Sequence, residues 1–329
     1  MHCNIFIVFL LFFYLLYLFA PRIKIDKYKL EINYKETCMK TNAIRKDKRK
    51  YNSNSMKSNK IYLLPIVFII TLLPFIMYYH EYDSGLSNYS WFPSNGNQTD
   101  IFLYYKQIAF ITICSIMLII VILKAIRDRK NIKTLPIFIP LFLYGTLALL
   151  STVFSKYPLL GLKGIFEQFE SVFVIMGYCF VVYYAFLFIE SEEDIKFIIS
   201  YFTYGILILS IIGVLQAIGH DLFATDFGKK LYVPSIFWND LTTFTFSFGP
   251  NRVYMTLYNP NYVGVYIAMI LPFMFGLLIT EKRKKQIIVY IFTIIGLIIS
   301  LIGSQSKTGL IGLGISNDIR CLHKSNYGR

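Results

Sequence analysis

Long apolar runs alternate with short polar or basic segments along the whole sequence. A membrane-spanning helix needs about 20 largely apolar residues, and these runs approach that length. The pattern predicts an all-α, polytopic membrane helical bundle of about eight transmembrane helices, with a truncated ninth that begins at Thr308 and stops almost at once. The eight predicted spans are Ile5–Ala20, Ile61–Tyr79, Ile108–Leu123, Leu135–Val153, Ser171–Ile189, Phe197–Ile218, Tyr262–Thr280 and Ile287–Gly303.

The composition excludes a water-soluble protein. Hydrophobic residues make up 56% of the 329 residues, and charged residues only 16%, against about 25% in a soluble domain. The mean hydropathy is +0.54. The five cysteines are scattered without metal-ligand spacing, so we predict no metal site and no metal or organic cofactor.

The net charge of +14 comes mostly from three basic tracts, Arg22–Lys60, Lys124–Lys133 and Glu281–Lys285. Short basic loops lie on the cytoplasmic side of membrane proteins. One topology places all three tracts inside, which argues against a nucleic-acid partner. The predicted outer segments are then His80–Gln107, Phe154–Glu170 and Gly219–Asn261.

The two ends of the chain differ from the rest. Residues 1–55 are an apolar run followed by a basic tract, and Met56 begins a segment typical of a native start. Residues 1–55 are therefore either a true first helix or the product of an over-called start codon. Residues 316–329 form a polar and basic tail after a short apolar run, which is typical of a truncated or frameshifted chain.

Candidate chemistry lies in the last outer segment. Arg252 precedes Asn259-Pro260-Asn261, which begins an apolar helix. We expect Asn261 to cap this helix, whose N-terminus favours an anion. Arg252 could then donate paired hydrogen bonds to phosphate oxygens. The alternative is a capped helix beside a solvated arginine.

Three further positions are candidates on the predicted outer side. Ser306 and Lys307, within Ser304–Gly309, could line the same anion site, or Lys307 could extend to the interface. Glu170 could orient a hydroxyl or pair with Arg252, or be a solvated interfacial charge. His220-Asp221 could form an acid–base pair or be two surface residues.

These motifs, in this order, resemble those of the O-antigen ligase / O-antigen polymerase (Wzy-like) family. The resemblance uses Arg252, Asn259-Pro260-Asn261, Pro272, Glu281–Lys285 and Ser304–Gly309, and it extends over Met56–Gly314. Upstream, Ser155-Lys156-Tyr157-Pro158, Gly161 and Glu170 also match a branch of the family. The resemblance assigns residues 56–315 to a transmembrane polymerase/ligase-like domain with outer loop 219–261.

The resemblance implies a GT-C-like fold and a hexosyltransferase of the bacterial plasma membrane. Such an enzyme takes part in polysaccharide biosynthesis for the cell envelope, with other polysaccharide-assembly membrane proteins as partners. It moves a glycan from undecaprenyl or another polyprenyl pyrophosphate to an acceptor hydroxyl at the outer face, without metal. Arg252 and Lys307 would be catalytic, and Asn259, Asn261, Glu170 and Ser306 would bind substrate.

Two alternatives remain open at the level of sequence. Family members carry a large outer loop after the ninth helix, and this chain ends before it, so an inactive remnant is one alternative. A polytopic transporter or flippase is the other. Transporters usually show internal repeats and charges near the membrane midplane, whereas the candidate charges here lie at one face.

Overall fold

The computed structural model describes residues 60–85, 87, 96–128, 135–136, 138–165, 167–245, 248 and 252–313. The predicted span Ile5–Ala20, the rest of residues 1–59 and the tail 316–329 therefore lie outside the described residues. Of the predicted ninth helix, which begins at Thr308, the described part is residues 308–313. The chain forms two compact units. The first comprises the described parts of Met1–Phe68, Phe110–Gly164 and Glu170–Ser200, and the second those of Ile69–Ala109, Ile165–Phe169 and Tyr201–Arg329.

The described part of the chain is mostly helical, as the apolar runs predict. Four helices are long and apolar enough to cross a membrane, and three further apolar helices are shorter. The helices are α1 Lys60–Phe75, α2 Tyr104–Asp128, α3 Phe138–Val153, α4 Pro158–Lys163, α5 Val172–Phe188, α6 Glu192–Ala217, α7 Asp226–Tyr232, α8 Pro260–Thr280 and α9 Lys284–Ser304.

Helix α1 is irregular because two prolines interrupt it. Pro65 and Pro74 each lie in the first turn of a short segment, and the backbone between them passes from α-helix through a π-helical stretch at Phe68–Leu72 to a 3₁₀ turn. Proline lacks an amide hydrogen and cannot sit within a regular helix without disturbing it. Helix α1 is therefore shorter than the predicted span Ile61–Tyr79.

A small β-hairpin follows α1 where the sequence predicted only a polar outer segment. Strand β1, His80–Asp83, pairs antiparallel with β2, Asn97–Asp100, and His80 lies opposite Asp100. Both strands are four residues long and polar, so they lack the alternation of apolar residues that reveals a strand in a sequence.

Close helix packing in the second unit depends on small residues. A Cβ atom on Gly213 of α6 would lie 2.2 Å from the hydroxyl oxygen of Ser300 on α9. At the start of α8, a Cβ atom on Gly264 would lie 2.3 Å from the Cβ of Ser306. Glycine lets these backbones approach at distances that no larger residue allows.

In the first unit, α3 packs against α5. Phe138 of α3 and Val182 and Tyr183 of α5 form a buried cluster. The Nζ of Lys124, at the start of a predicted inner tract, lies 3.9 Å from a carboxylate oxygen of Glu190, which follows the predicted span Ser171–Ile189.

Candidate functional site

The candidate site surrounds Arg252, in the short segment 252–259 that precedes α8. This segment has an unusual backbone, because Met255 and Tyr258 adopt left-handed conformations with φ of 50° and 73°. Left-handed conformations are uncommon for residues other than glycine and need support from their surroundings. The segment is supported from three directions.

The first support is the buried amide of Gln216 at the end of α6. Its oxygen accepts hydrogen bonds from the backbone N–H groups of Tyr254, at 3.2 Å, and Met255, at 2.7 Å. Its nitrogen donates to the carbonyl of Met255 and to the Oδ1 of Asp221, at 3.4 and 3.3 Å. One side chain thus fixes the two residues that follow Val253.

The second support is a hydrogen bond of 2.6 Å from the Tyr254 hydroxyl to the Oδ2 of Asp221. The Oδ1 of Asp221 accepts from the backbone N–H of Phe223 as well. Burial, followed by the hydrogen bond to Asp221, raises the pKa of the Tyr254 phenol. Tyr254 therefore stays protonated at neutral pH and acts as a donor to a carboxylate.

The third support comes from the N-terminal turn of α2. The buried ammonium of Lys106 donates to the carbonyl of Thr256. Asp100 ends strand β2 just before this turn, and its Oδ2 accepts the backbone N–H groups of Leu103 and Tyr104 at 2.7 and 2.8 Å. Burial raises the pKa of the Asp100 carboxyl, although these hydrogen bonds act in the opposite direction.

Beside this segment lies a cavity of about 300 Å³, large enough for a small ligand group. The Nε of Arg252 is buried and has no hydrogen-bond partner among the described residues. The cavity thus presents two cations, Arg252 and Lys229, and one carboxylate, Asp221. Its lining residues are Gln216, Gly219, Asp221, Ala224, Lys229, Phe244, Thr245, Phe248, Arg252 and Tyr254.

The segment predicted as the outer loop folds into short helices that place Lys229 at this cavity. Helix α7 carries Lys229 and is capped by Thr225, whose hydroxyl accepts the N–H of Gly228. A 3₁₀ helix, Ser235–Thr243, follows it. The Nζ of Lys229 donates to the carbonyl of Leu241 in that helix, at 2.9 Å.

The helix cap beside Arg252 is Asn259, which corrects the expectation that Asn261 caps α8. The side chain of Asn259 accepts the N–H of Asn261 at 2.9 Å, and Pro260 occupies the first turn. Proline is favoured at the first helical position, so the cap falls on the residue before it. Asn261 is exposed, and Asn259 is half-buried.

Ser306 and Lys307 have different surroundings from Arg252. Ser306 is fully buried, and its hydroxyl accepts the N–H of Gly309 while it packs against Gly264. Lys307 is exposed and is not among the residues that line the Arg252 cavity. These contacts give Ser306 a packing role at a close approach of two backbone segments.

The structure also shows the surroundings of Glu170 and of the His220-Asp221 pair. Glu170 belongs to the first unit and lies half-buried just before α5, whose cap residue is Ser171. His220 is exposed, whereas Asp221 turns its carboxylate toward Tyr254. Within the described ranges, no group of three or more histidine, cysteine, aspartate or glutamate side chains could hold a metal ion.

Sequence reasoning missed Gln216, Lys229 and Tyr254. Gln216 falls inside an apolar run, and Lys229 stands next to Lys230 in a polar loop, so neither pattern indicates a role. A single glutamine within a predicted span is the one signal that was available, because a buried amide needs partners.

Comparison with protein-family models, with curated proteins and with solved structures finds no match to this chain. The function proposed below therefore depends on this geometry and on the short motifs of the sequence.

Proposed function

We propose that the chain is a multi-pass glycosyltransferase of a bacterial plasma membrane, with a GT-C-like bundle of about eight spans. It would transfer a glycan from a polyprenyl-pyrophosphate carrier to an acceptor hydroxyl at the outer face, as a polysaccharide polymerase or ligase. The observation that carries the proposal is Arg252, whose buried Nε has no partner among the described residues and whose side chain lines a cavity just before α8.

Arg252 would act on the leaving group. In the transfer, the acceptor oxygen bonds to the anomeric carbon as the bond from that carbon to the pyrophosphate oxygen breaks. The hydroxyl proton passes to water. Negative charge grows on the pyrophosphate, and a fixed guanidinium stabilises it through charge-assisted hydrogen bonds. A cation held in advance by a rigid segment is suited to this role because it needs little reorganisation.

Contacts within the second unit support the proposed topology. Segments predicted on the outer side contact each other there. The rings of Phe102 and Tyr254 lie 5.9 Å apart, and those of Tyr82 and Phe169 lie 5.2 Å apart. These pairs join parts of 80–107, 154–170 and 219–261, so the cavity belongs to the polar layer that the proposal places outside.

The test is a comparison of Arg252→Ala with Arg283→Ala in cells that depend on this chain. Arg283 is an exposed residue in the basic turn before α9, and its guanidinium pairs with the half-buried Glu281 at 2.8 Å. We expect Arg252→Ala to lower polymer or ligated product at least about a hundredfold, in the range seen when one charge-stabilising donor is removed. The Arg283→Ala variant should retain product within about twofold, because Arg283 is exposed and does not line the cavity beside Arg252.

The side of the membrane on which lipid-linked units accumulate distinguishes a transferase from a flippase. A transferase that has lost Arg252 leaves single lipid-linked units at the outer face, where an added glycosidase can reach them. Units trapped on the inner side would instead indicate a flippase. Normal product from the Arg252→Ala variant would exclude the proposed role of this residue.

A further inference from the structure

The cavity beside Arg252 contains more positive charge than its own carboxylate can offset. Arg252 and Lys229 contribute two cations, and Asp221 contributes one anion. Both Asp221 oxygens are already engaged, because Oδ1 accepts from Gln216 and Phe223 and Oδ2 accepts from Tyr254. The arrangement therefore favours an anionic ligand.

Lys229 is buried to an unusual degree for a lysine. Only 8% of its surface is exposed, and one hydrogen bond to Leu241 uses one of its three N–H groups. It forms no ion pair with any acidic residue in the described part of the chain. Burying an ammonium without an anionic partner is costly, so proteins seldom do it unless a ligand supplies the charge.

We infer that Lys229 is the second cation that binds the pyrophosphate beside Arg252, in the position that the sequence motif had given to Lys307. This inference rests on the proposed function and names the substrate contact of the same site. An ammonium and a guanidinium on one small cavity can each contact one phosphate of a diphosphate. Lys307 is exposed and does not line this cavity.

The neighbouring Lys230 is a matched control. It lies on the same helix and carries the same charge, but it is exposed, and its Nζ lies 5.4 Å from the centroid of the Trp238 ring. Replacing either lysine with glutamine changes the net charge equally. A difference between the two variants therefore reports on position in the cavity and not on general attraction between a basic protein and an anion.

The experiment measures the binding of inorganic pyrophosphate to the full chain in lipid nanodiscs by titration calorimetry. We expect Lys229→Gln to weaken binding at least about tenfold, since a charge-assisted hydrogen bond is lost. Lys230→Gln should bind within about twofold of the wild type. Arg252→Gln, in the same series, tests the proposed function separately.

Each result has one meaning. If Arg252→Gln weakens binding but Lys229→Gln does not, the inference about Lys229 is wrong and the role of Arg252 stands. Equal weakening by Lys229→Gln and Lys230→Gln also overturns it. If the wild-type chain does not bind pyrophosphate, Lys229 has no such role, and the cell assay on Arg252 decides the proposed function independently.

A second measurement avoids variants that fail to fold. Hydrogen–deuterium exchange on the wild-type chain compares peptides with and without pyrophosphate. We expect slower exchange in residues 226–232 and 252–258 and no change in residues 307–313. Protection of 307–313 without protection of 226–232 would contradict the inference and favour Lys307.

Discussion

Replacing Gln216 with methionine should destabilise the Arg252 segment more than any other single change of similar size. Methionine keeps the length and volume of the side chain but removes its polar atoms. The backbone N–H groups of Tyr254 and Met255 then lose their acceptor, although both residues are almost completely buried. Each unsatisfied buried donor costs about 1–3 kcal/mol.

The expected loss is therefore about 2–6 kcal/mol in the free energy of unfolding, taken from two such donors. The lower half of this range applies if water from the adjoining cavity reaches the two amides. The contacts of the glutamine nitrogen add little, because they are long, at 3.3 and 3.4 Å. Arg252 lies only two residues before Tyr254 in the chain. Loss of order in this segment should therefore weaken pyrophosphate binding as well.

Unfolding by sodium dodecyl sulfate in mixed micelles, followed by circular dichroism, measures this difference. Gln305→Met is the matched control, because Gln305 is exposed at the end of α9 and should change the free energy by no more than about 0.5 kcal/mol. A loss below about 1 kcal/mol for Gln216→Met, or an equal loss for Gln305→Met, would refute the argument that this amide holds the segment.

Three further predictions concern glycine packing, backbone conformation and pH. Gly264→Ala should lower the free energy of unfolding by about 1–3 kcal/mol, because the new Cβ would lie 2.3 Å from that of Ser306. A Cβ atom on Gly276 would have no neighbouring atom within 4 Å, so Gly276→Ala should raise the free energy of unfolding by about 0.5–1 kcal/mol. Equal changes for Gly264→Ala and Gly276→Ala in the same titration would contradict the close packing at Gly264. Gln305→Gly should raise the free energy of unfolding by about 1 kcal/mol, since Gln305 has a φ of 54°, and a loss would show that this conformation is not strained. Burial raises the pKa of the Asp100 carboxyl, so the unfolded chain releases this proton at a lower pH than the folded chain. The free energy of unfolding of the wild type should therefore fall as the pH rises from the ordinary pKa of an aspartate to the raised pKa. Asp100→Asn should remove that fall in melting temperature, and an unchanged pH profile would contradict the assignment.

Helix α2 shows where sequence reasoning was sufficient and where it was not. The apolar pattern predicts Ile108–Leu123, and the helix runs over Tyr104–Asp128. The additional first turn contains Lys106, which is buried. A hydropathy pattern places a lysine in water, whereas in the folded chain the carbonyl of Thr256, 150 residues away, accepts a hydrogen bond from its buried ammonium.

The start of α8 shows a smaller difference of the same kind. The Asn-Pro-Asn motif predicts a helix beginning at this point, and the helix begins there. The motif led us to expect Asn261 as the cap, whereas Asn259 caps the helix because Pro260 takes the first helical position.

The sequence by itself determined the helical class, the approximate positions of the apolar helices that the structure describes, and the polar segment that contains Arg252. These follow from the preference of each side chain for lipid or water, which accumulates along a run of neighbours. Only the tertiary structure decided that Lys229 lies beside Arg252, while Lys230 and Lys307 are exposed. All three lysines carry the same charge, and each lies in a polar stretch of the sequence. Burial depends on contacts with residues that are distant along the chain, and those contacts exist only after the chain has folded.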